Sequence, residues 1–496
     1  MKKRILLVYP RYPKTFWSFY EALRFINAKA SFPPLGLLTI AAMLPQDWEL
    51  KLIDTNTERL KDKDILWADM VFISAMLIQG PSAQEIIDRC HKLQKTVVAG
   101  GPAFITSHDK FHNVDHCLLG EAEIILPTFL KDLNEGKAKA LYFEEGDKPD
   151  LALTPIPKWS LLKKKLRHYA TMVIQNSRGC PYNCEFCDII VMNGRVPRLK
   201  SIDQIIAELE ALYSLGWRGG VFFGDDNFIG NKNEVKKMLP VLIVWQKEHH
   251  YPFTFFTQAS VNLADEEELM LLMSQANFNK VFLGIETDNL ESLKECGKFQ
   301  NTTTDLTEVV KKIQSHGLQV MGGFIVGFDH DKENVFDNMA KFIQATGIVT
   351  AMVGMLTAMP KTKLWHRMHK EGRILKDSVG NNTGDDLNFS PTMGADNLRK
   401  GYKKLIANLY SQRSYYKRIR NFIRDYKPTA KERLSFVKME AFLRSVFKIG
   451  IFSRSCVLYW RSLVTALLRN PKTFSGVVEL MIHWPHYRKR AREISG

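Results

Sequence analysis

The feature that most constrains the fold is the alternation of short apolar segments with amphipathic ones. In the first 140 residues, five nearly continuous apolar segments indicate strands at 5–10, 50–56, 70–76, 96–102 and 116–121. Helical patterns lie between them, at 33–44 and 83–94. Strands that are apolar on both faces are typical of a parallel sheet covered by helices. We therefore predict a doubly wound, flavodoxin-like α/β domain over residues 1–140, with its ligand site beyond the strand carboxyl ends.

A second alternating series follows a Pro-containing, Lys-rich stretch at 141–170, which we interpret as a linker. Six βα units over 171–395 predict a full or partial parallel barrel with its chemistry at the strand carboxyl ends. The apolar segments of these units are 171–178, 219–226, 252–260, 280–287, 318–328 and 350–359.

The remaining segment, 396–496, has a helical, basic and aromatic pattern. Residues 400–496 hold 22 Lys and Arg against 5 Asp and Glu, whereas the other residues hold 47 against 48. A basic excess confined to one region favours an anionic partner, either a membrane surface or a nucleic acid. Residues 447–470 are apolar but interrupted by arginines, which favours an orientation in the bilayer interface rather than across it. No segment reaches the ~18 uninterrupted apolar residues of a membrane span.

Three of the seven cysteines, Cys180, Cys184 and Cys187, lie together directly after a predicted strand. Three thiolates on one loop can ligate three irons of a [4Fe–4S] cubane and leave the fourth iron open to a chelating substrate. A zinc site or a ferredoxin cluster would need a fourth ligand, and none lies near in the sequence. The other cysteines are scattered, which indicates a reducing, cytosolic compartment.

The C-x3-C-x2-C pattern, with Phe186 before its last cysteine, resembles the signature of the radical S-adenosylmethionine (SAM) superfamily. Segments that resemble the superfamily's SAM-binding strand ends follow in order. GDDNF (224–228) stands in the place of a Gly-Gly-Glu segment that receives the SAM amino group, although it carries two aspartates and an asparagine instead. The resemblance implies SAM contacts from Asp225, Asp226, Asn227, Gln258, Glu286 and Gly327.

An α/β domain placed before such a barrel resembles the cobalamin-binding domain of the cobalamin-dependent radical SAM proteins, the group that includes the hopanoid methylases. The resemblance implies cobalamin contacts from Leu77, Gln79, Gly100, Gly101, Gly120 and Glu121. The chain has no Asp-x-His-x-x-Gly motif, so we expect cobalt to receive no protein histidine.

The implied activity is reductive SAM cleavage at the cluster and, with cobalamin, methylation of an unactivated carbon in an apolar or lipid-like substrate. An external flavodoxin or ferredoxin would supply the electron. We expect a cytoplasmic protein that associates peripherally with the inner membrane face through its basic region. Three alternatives stay open: a cyclase or rearrangement catalyst with the same cofactors, an RNA-modifying enzyme, and an iron–sulfur electron carrier or sensor. Nucleic acid is the less favoured partner because the chain shows no β-barrel RNA module.

Overall fold

The computed structural model describes residues 2–384, 386–432 and 435–496, which form two parallel sheets and a carboxy-terminal group of helices. The strands are β1 (Arg4–Tyr9), β2 (Glu49–Asp54), β3 (Met70–Ser74), β4 (Thr96–Gly100), β5 (His116–Leu119), β6 (Leu141–Phe143), β7 (Met172–Ile174), β8 (Ser177–Arg178), β9 (Arg198–Leu199), β10 (Gly219–Phe223), β11 (Phe253–Ala259), β12 (Phe278–Glu286), β13 (Gln319–Val326) and β14 (Ala351–Met355).

The α-helices alternate with these strands as far as β14 and then follow one another. They are α1 (Tyr20–Leu23), α2 (Leu35–Met43), α3 (Asp62–Trp67), α4 (Gly80–Lys92), α5 (Pro102–Ser107), α6 (Ala122–Asn134), α7 (Ile189–Met192), α8 (Ile202–Ser214), α9 (Lys232–Glu248), α10 (Glu267–Gln275), α11 (Leu290–Glu295), α12 (Leu306–Ser315), α13 (Val335–Thr346), α14 (Lys363–Lys370), α15 (Ala395–Leu409), α16 (Gln412–Asp425), α17 (Phe436–Ser445), α18 (Cys456–Arg469) and α19 (Phe474–Ser495).

The amino-terminal sheet is wholly parallel, in the order β2-β1-β3-β4-β5-β6. Its centre is buried on both faces: Ile5 and Leu7 belong to one apolar cluster, and Leu6 and Val8 belong to another. The sequence therefore predicted the doubly wound class correctly. The difference is β6, a sixth strand that the sequence did not indicate, at the start of the predicted linker. It is short and half-exposed, so its apolar pattern is weak.

The second sheet is also parallel, in the order β14-β13-β12-β11-β10-β7, and confirms the predicted partial barrel. Successive side chains of its strands point to opposite faces. Phe223 and Phe255 are fully buried on the face that packs against the helices. Phe222 and Phe256 stack on the opposite, inner face with ring centroids 4.8 Å apart. Helices therefore cover the barrel outside, and aromatic rings line part of its interior.

Helix α15 covers the free edge of this barrel. The hydroxyl of Tyr402 donates to the carbonyl oxygen of Val353 at 3.1 Å, and the hydroxyl of Tyr410 donates to that of Ala351. An uncovered edge strand would leave these carbonyls without partners or open to another chain. The predicted helical region thus begins as an integral part of the barrel.

Helix α19 returns to the beginning of the chain. His486, which is fully buried, donates from Nε2 to the carbonyl oxygen of Phe16 at 3.0 Å, and Lys489 pairs with Glu21 at 2.7 Å. No helix in the described ranges combines the length and apolarity needed to cross a bilayer.

The docking of α19 predicts a loss of stability at acidic pH. Burial lowers the pKa of His486 to about 4, whereas an unfolded histidine titrates near ~6.5. The unfolded chain therefore binds a proton first as the pH falls below ~6.5, and by pH ~5 this costs the folded state about 2 kcal/mol. His486→Gln, which cannot titrate, should show a smaller decrease of the thermal midpoint between pH 7 and 5 than the wild type.

The matched control for this experiment is His91→Gln, because His91 is exposed on α4. It should keep the wild-type pH dependence. Equal pH dependence in the wild type and His486→Gln would contradict the assignment.

Candidate active site

The cysteine loop, residues 179–187, follows β7 and β8 at the carboxyl end of the barrel. Cys184 is buried and Cys180 and Cys187 are half-buried, and all three thiols are free of disulfides. Burial raises the pKa of each thiol, that of Cys187 to about 12, and the charge of Cys180 raises those of Cys184 and Cys187 further. The three thiols lie on one short loop, and their thiolates would need the positive charge of a metal centre.

These thiols suit a cluster better than a single ion. Among the described residues, no three His, Cys, Asp or Glu side chains surround a common point in the way one metal ion requires. A cubane places its three thiolate ligands on three different irons, so the thiols need not meet at one point. The donor set thus fits a [4Fe–4S] cluster with one open iron.

Two aspartates after β10 hold this loop in place. Asp225, which is fully buried, accepts hydrogen bonds from the Asn176 backbone at 2.8 Å and the Ser177 hydroxyl at 2.7 Å. Asp226 accepts from the Gly179 backbone at 2.8 Å. Burial raises the pKa of Asp225 to about 6. Both carboxylates already serve the loop, so they position the cysteines whether or not they also contact SAM.

Asn227 has a buried acceptor without a donor. Its side chain lies beside the thiol of Cys180 and donates to the Ser260 hydroxyl at 3.3 Å. Its Oδ1 atom is buried and has no hydrogen-bond partner within the described residues. A buried acceptor without a donor is costly, and the amino group of SAM would supply one. The Oδ1 atom of Asn227 is therefore open to such a donor.

Glu286 stands at the end of β12 with a left-handed backbone (φ +65°), next to a register shift against β13. Its carboxylate forms a buried ion pair with Lys298. Burial acts to lower the pKa of Lys298, but the charges of Glu286 and Cys184 outweigh it and raise that pKa. Ribose hydroxyls bound at Glu286 would therefore share its carboxylate with Lys298. The sequence analysis did not identify Lys298.

The two other predicted SAM contacts differ in setting. Gln258 is half-buried on the inner face of β11, and its Nε2 atom lies 3.4 Å from the carbonyl oxygen of Asp225. Gly327 has φ +104°, and a β carbon there would lie 2.7 Å from the Leu398 side chain of α15. The backbone of Gly327 is thus already in close contact with a side chain of the protein itself. The assignment of all six residues to SAM stays a prediction.

Arg178, next to the cysteine loop, bridges the two α/β domains. It donates to Glu121 at 2.6 Å and to Glu123 at 2.8 Å, and Arg198 donates to Glu121 at 2.5 Å. Glu123 also accepts from Thr154 in the connecting segment at 2.7 Å. Charge-assisted, two-pronged contacts of this kind are the most directional that side chains make. We call these four charged residues the arginine clamp.

A second set of charges holds the opposite side of the loop. Glu185, between two of the cysteines, accepts from Arg367 of α14 at 2.6 and 3.0 Å. Arg367 also donates to Asp329 at 2.7 Å, and Asp329 pairs with Arg373. Burial acts to raise the pKa of Asp329, but its contacts with Arg373, Thr392 and Arg367 outweigh it and hold that pKa well below its usual range. The cysteine loop is therefore fixed from both sides.

The predicted cobalamin residues gather at the carboxyl edge of the amino-terminal sheet. Gly101 has φ +86° before α5, and a β carbon there would lie 2.6 Å from the Ser74 hydroxyl. Gln79 is fully buried and donates to the Pro10 carbonyl oxygen at 2.5 Å. Gly380 of the barrel packs against Leu77.

The two remaining glycines show the same tight packing. A β carbon at Gly100 would lie 3.1 Å from the Leu118 carbonyl oxygen, and Gly120 has φ +154°. Glu121 belongs to the arginine clamp, so its carboxylate is already engaged by protein. The cobalamin roles of these six residues stay predictions.

Sequence reasoning missed the residues that orient the site rather than contact a cofactor: Glu123, Arg178, Glu185, Arg198, Lys298 and Arg367. The only signals were the position of Arg178 beside the first cysteine and of Glu123 in GEAE. Neither signal names a partner, because the partners are distant in sequence.

Comparison with family models divides the chain in the same way as its architecture. A B12 binding domain matches residues 23–130, the Radical SAM superfamily matches 174–343, and a domain of unknown function, DUF4070, matches 362–496.

Full-length relatives decide the family. An uncharacterized methyltransferase of Synechocystis sp. is 41% identical over 99% of this chain and 93% of its own length. The hopanoid C-2 methylase of Rhodopseudomonas palustris is 33% identical over 99% of this chain and 94% of its own. The chain belongs to the cobalamin-dependent radical SAM enzymes. Members of this family use SAM, a [4Fe–4S] cluster and cobalamin, and the two relatives above are named as a methyltransferase and a methylase.

Solved structures of this family share the fold. The cobalamin-dependent radical SAM enzyme OxsB superposes with a TM-score of 0.66 at 13% identity, over 99% of this chain and 80% of its own. The methyltransferase TsrM of Kitasatospora setae gives 0.64 at 14% identity, over 99% of both chains. The cobalamin domain followed by a partial barrel is thus the family architecture.

The arginine clamp predicts that the cysteine loop depends on the amino-terminal domain. Arg178→Gln would leave Glu121 and Glu123 partly unpaired in a buried setting, which typically costs about 3–5 kcal/mol. We expect the variant, after anaerobic reconstitution and gel filtration, to retain less iron and sulfide than the wild type. We also expect faster proteolysis in the segment 141–170.

Lys237→Gln is the matched control, because it breaks an exposed pair with Glu234 that is worth at most about 0.5 kcal/mol. Wild-type iron content in Arg178→Gln would show that the loop holds its conformation without the clamp.

Proposed function

We propose that this enzyme cleaves SAM reductively at a [4Fe–4S] cluster bound by Cys180, Cys184 and Cys187, and methylates an unactivated carbon of an apolar, lipid-like substrate. When bound, the cluster and SAM supply a radical that abstracts hydrogen, and cobalamin supplies the methyl group. The observation that carries the proposal is the clamped loop of three free thiols at the barrel mouth, beside the unsatisfied oxygen of Asn227.

The residues of the chain divide the remaining tasks between them. Asp225 and Asp226 hold the loop backbone, and Asn227 is available to accept from the amino group of SAM. Glu286 would receive the ribose hydroxyls, and its ion pair with Lys298 would hold the carboxylate in place at the end of β12. In this assignment the protein orients SAM, and none of these groups has to move a proton.

The interior of the barrel supports an apolar substrate. Phe32 of the amino-terminal domain lies against Phe222, with ring centroids 5.2 Å apart, and the stacked Phe256 extends this surface. Trp17 contacts Phe282 of β12 in the same way, at 5.4 Å. The rings of Phe32, Phe222 and Phe256 form an aromatic wall that favours hydrocarbon over water, which a radical reaction requires. The hopanoid C-2 methylase, whose named substrate is a lipid, supports the same substrate class.

We further propose a flavodoxin or ferredoxin as the electron donor, and a cytoplasmic location at the inner membrane face. The basic, partly apolar helices α16–α19 support peripheral contact with a membrane, and a lipid-like substrate would be met there.

Replacing each cluster ligand tests the first half of the proposal. Cys180→Ala, Cys184→Ala and Cys187→Ala should each reduce the release of 5′-deoxyadenosine from SAM, with dithionite as reductant, to the background without enzyme. Iron bound per chain should fall in parallel, because a cubane held by two thiolates is labile.

Cys296→Ala is the control for these variants. Cys296 is buried beside the loop, and its backbone carbonyl oxygen accepts from Glu185 at 2.8 Å, a contact that alanine keeps. This variant should retain SAM cleavage. Full cleavage in any of the three ligand variants, or zinc in place of iron, would refute the assignment.

The aromatic wall predicts how well cleavage couples to methylation. Phe256→Ala should lower the yield of methylated product per 5′-deoxyadenosine several-fold, because water enters beside the substrate. Phe256→Leu keeps most of the apolar volume and should remain coupled. The substrate is identified with methyl-labelled SAM and mass spectrometry of cell lipids, where the product gains one methylene. Label found in RNA, or in no lipid, would exclude the proposed substrate class.

A further inference from the structure

Helices α17 and α18 expose an unusual amount of apolar surface. On α17, Phe436, Met439 and Leu443 lie on one stripe, and Phe436 is 78% exposed. On α18 the equivalent stripe contains Val457, Val464 and Leu468. The π-helical turn Val446–Ile451 joins the two helices, and Phe452 follows it. Phe452 and Leu468 are each 81% exposed. We call these two stripes and their connection the apolar ridge.

A basic groove lies between α16 and α18, the helix that carries the second stripe of the ridge. Four cations line it, together with Gln412, Tyr416, Leu458 and Ser462. The cations are Arg413, Lys417, Arg420 and Arg461. All four are exposed, no acidic residue lines the groove, and no ion pair to these four occurs within the described residues. Arg461 belongs to both features, because it lies on α18 between Val457 and Val464 of the ridge.

Two neighbouring observations indicate that this groove takes an anion. Tyr416 is almost fully buried, yet its hydroxyl has no hydrogen-bond partner within the described residues. Arg488 stacks on Trp484, whose ring contacts Tyr416. Burial and then the charges of Arg492 and Arg454 lower the pKa of Arg488. Cations are therefore crowded here without their counter-charge.

We propose that the ridge and the groove form one docking surface for an anionic membrane, with the ridge inserted among the acyl chains and the groove on a phospholipid phosphate. Apolar insertion beside a cluster of cations is the combination that binds peripheral helices to anionic bilayers. A second copy of this chain would cover the ridge but bring like charges together, and a nucleic acid would leave the ridge exposed. The inference rests on the membrane contact proposed above for α16–α19 and names the surface and the lipid group, but it does not depend on the proposed chemistry.

The test is co-sedimentation of the full-length protein with phosphatidylcholine vesicles, with and without about one third phosphatidylglycerol, at ~0.1 M salt. The wild type should bind the anionic vesicles in preference to the neutral ones. Each cation removed near such a surface lowers binding roughly fivefold. We therefore expect Arg413→Gln/Lys417→Gln/Arg420→Gln/Arg461→Gln to lose affinity by at least roughly a hundredfold.

A second variant and a matched control separate the contributions. Phe452→Ser/Leu468→Ser should lose the binding that persists at ~1 M salt, because apolar insertion is not screened. The control replaces four exposed lysines of the amino-terminal domain and the connecting segment, which changes the net charge by the same amount. We expect its affinity for the anionic vesicles to fall less than roughly fivefold. This control is Lys131→Gln/Lys139→Gln/Lys163→Gln/Lys164→Gln.

Several outcomes would overturn the inference: equal binding to neutral vesicles, undiminished binding by the groove variant, displacement by inorganic phosphate, preference for transfer RNA, or dimerisation through the ridge. The groove and ridge variants should release 5′-deoxyadenosine at the wild-type rate, since the surface lies outside the active site. A variant that loses vesicle binding but still cleaves SAM therefore reports on the docking surface alone. A wild type that binds vesicles but never cleaves SAM would instead contradict the proposed function.

Discussion

The structure depends on ion pairs that fix one loop between two domains. The cysteine loop packs Phe186 against an apolar cluster that includes Phe328, but apolar contact is not directional and does not orient the cysteines by itself. Arg178 ties its beginning to Glu121 and Glu123 of the amino-terminal domain, and Arg367 ties Glu185 to the barrel. Because the guanidinium contacts are two-pronged, they define direction as well as distance. The three cysteines proposed to bind the cluster are thus positioned by ion pairs to both the amino-terminal domain and the barrel.

This arrangement makes the two cofactor sites mechanically dependent on each other. Glu121 follows β5, at the edge where the amino-terminal sheet is expected to hold cobalamin, and it contacts the residue beside the cluster loop. On the opposite side, Lys361 after β14 donates to the Ile105 carbonyl oxygen at 2.8 Å, and Lys110 pairs with Asp377 at 2.8 Å. In the proposed reaction, a methyl group carried by one domain would reach a substrate held by the other, and these contacts would set that distance.

Much of the fold could be predicted because its signals are local. The strands and the barrel follow from apolar periodicity, and the three thiols follow from their spacing on one loop. The hold of GDDNF on the cysteine loop could not be predicted, because Asp225 and its partner Asn176 are 49 positions apart. The same holds for the packing of Gly327 against Leu398. Glycine conformation is a local property, but the group that fills the space beside it is not.

The sequence alone determined the two α/β domains, the basic helical region and the three free thiols, because residue order and side-chain chemistry suffice for these. Only the tertiary structure decided which carboxylates orient the cysteine loop, that α15 covers the barrel edge, and that α19 meets Phe16, 470 positions away. The physical reason is that an ion pair or a docked helix requires two surfaces to coincide in space. Local sequence patterns describe each surface, but they do not indicate which two surfaces come into contact.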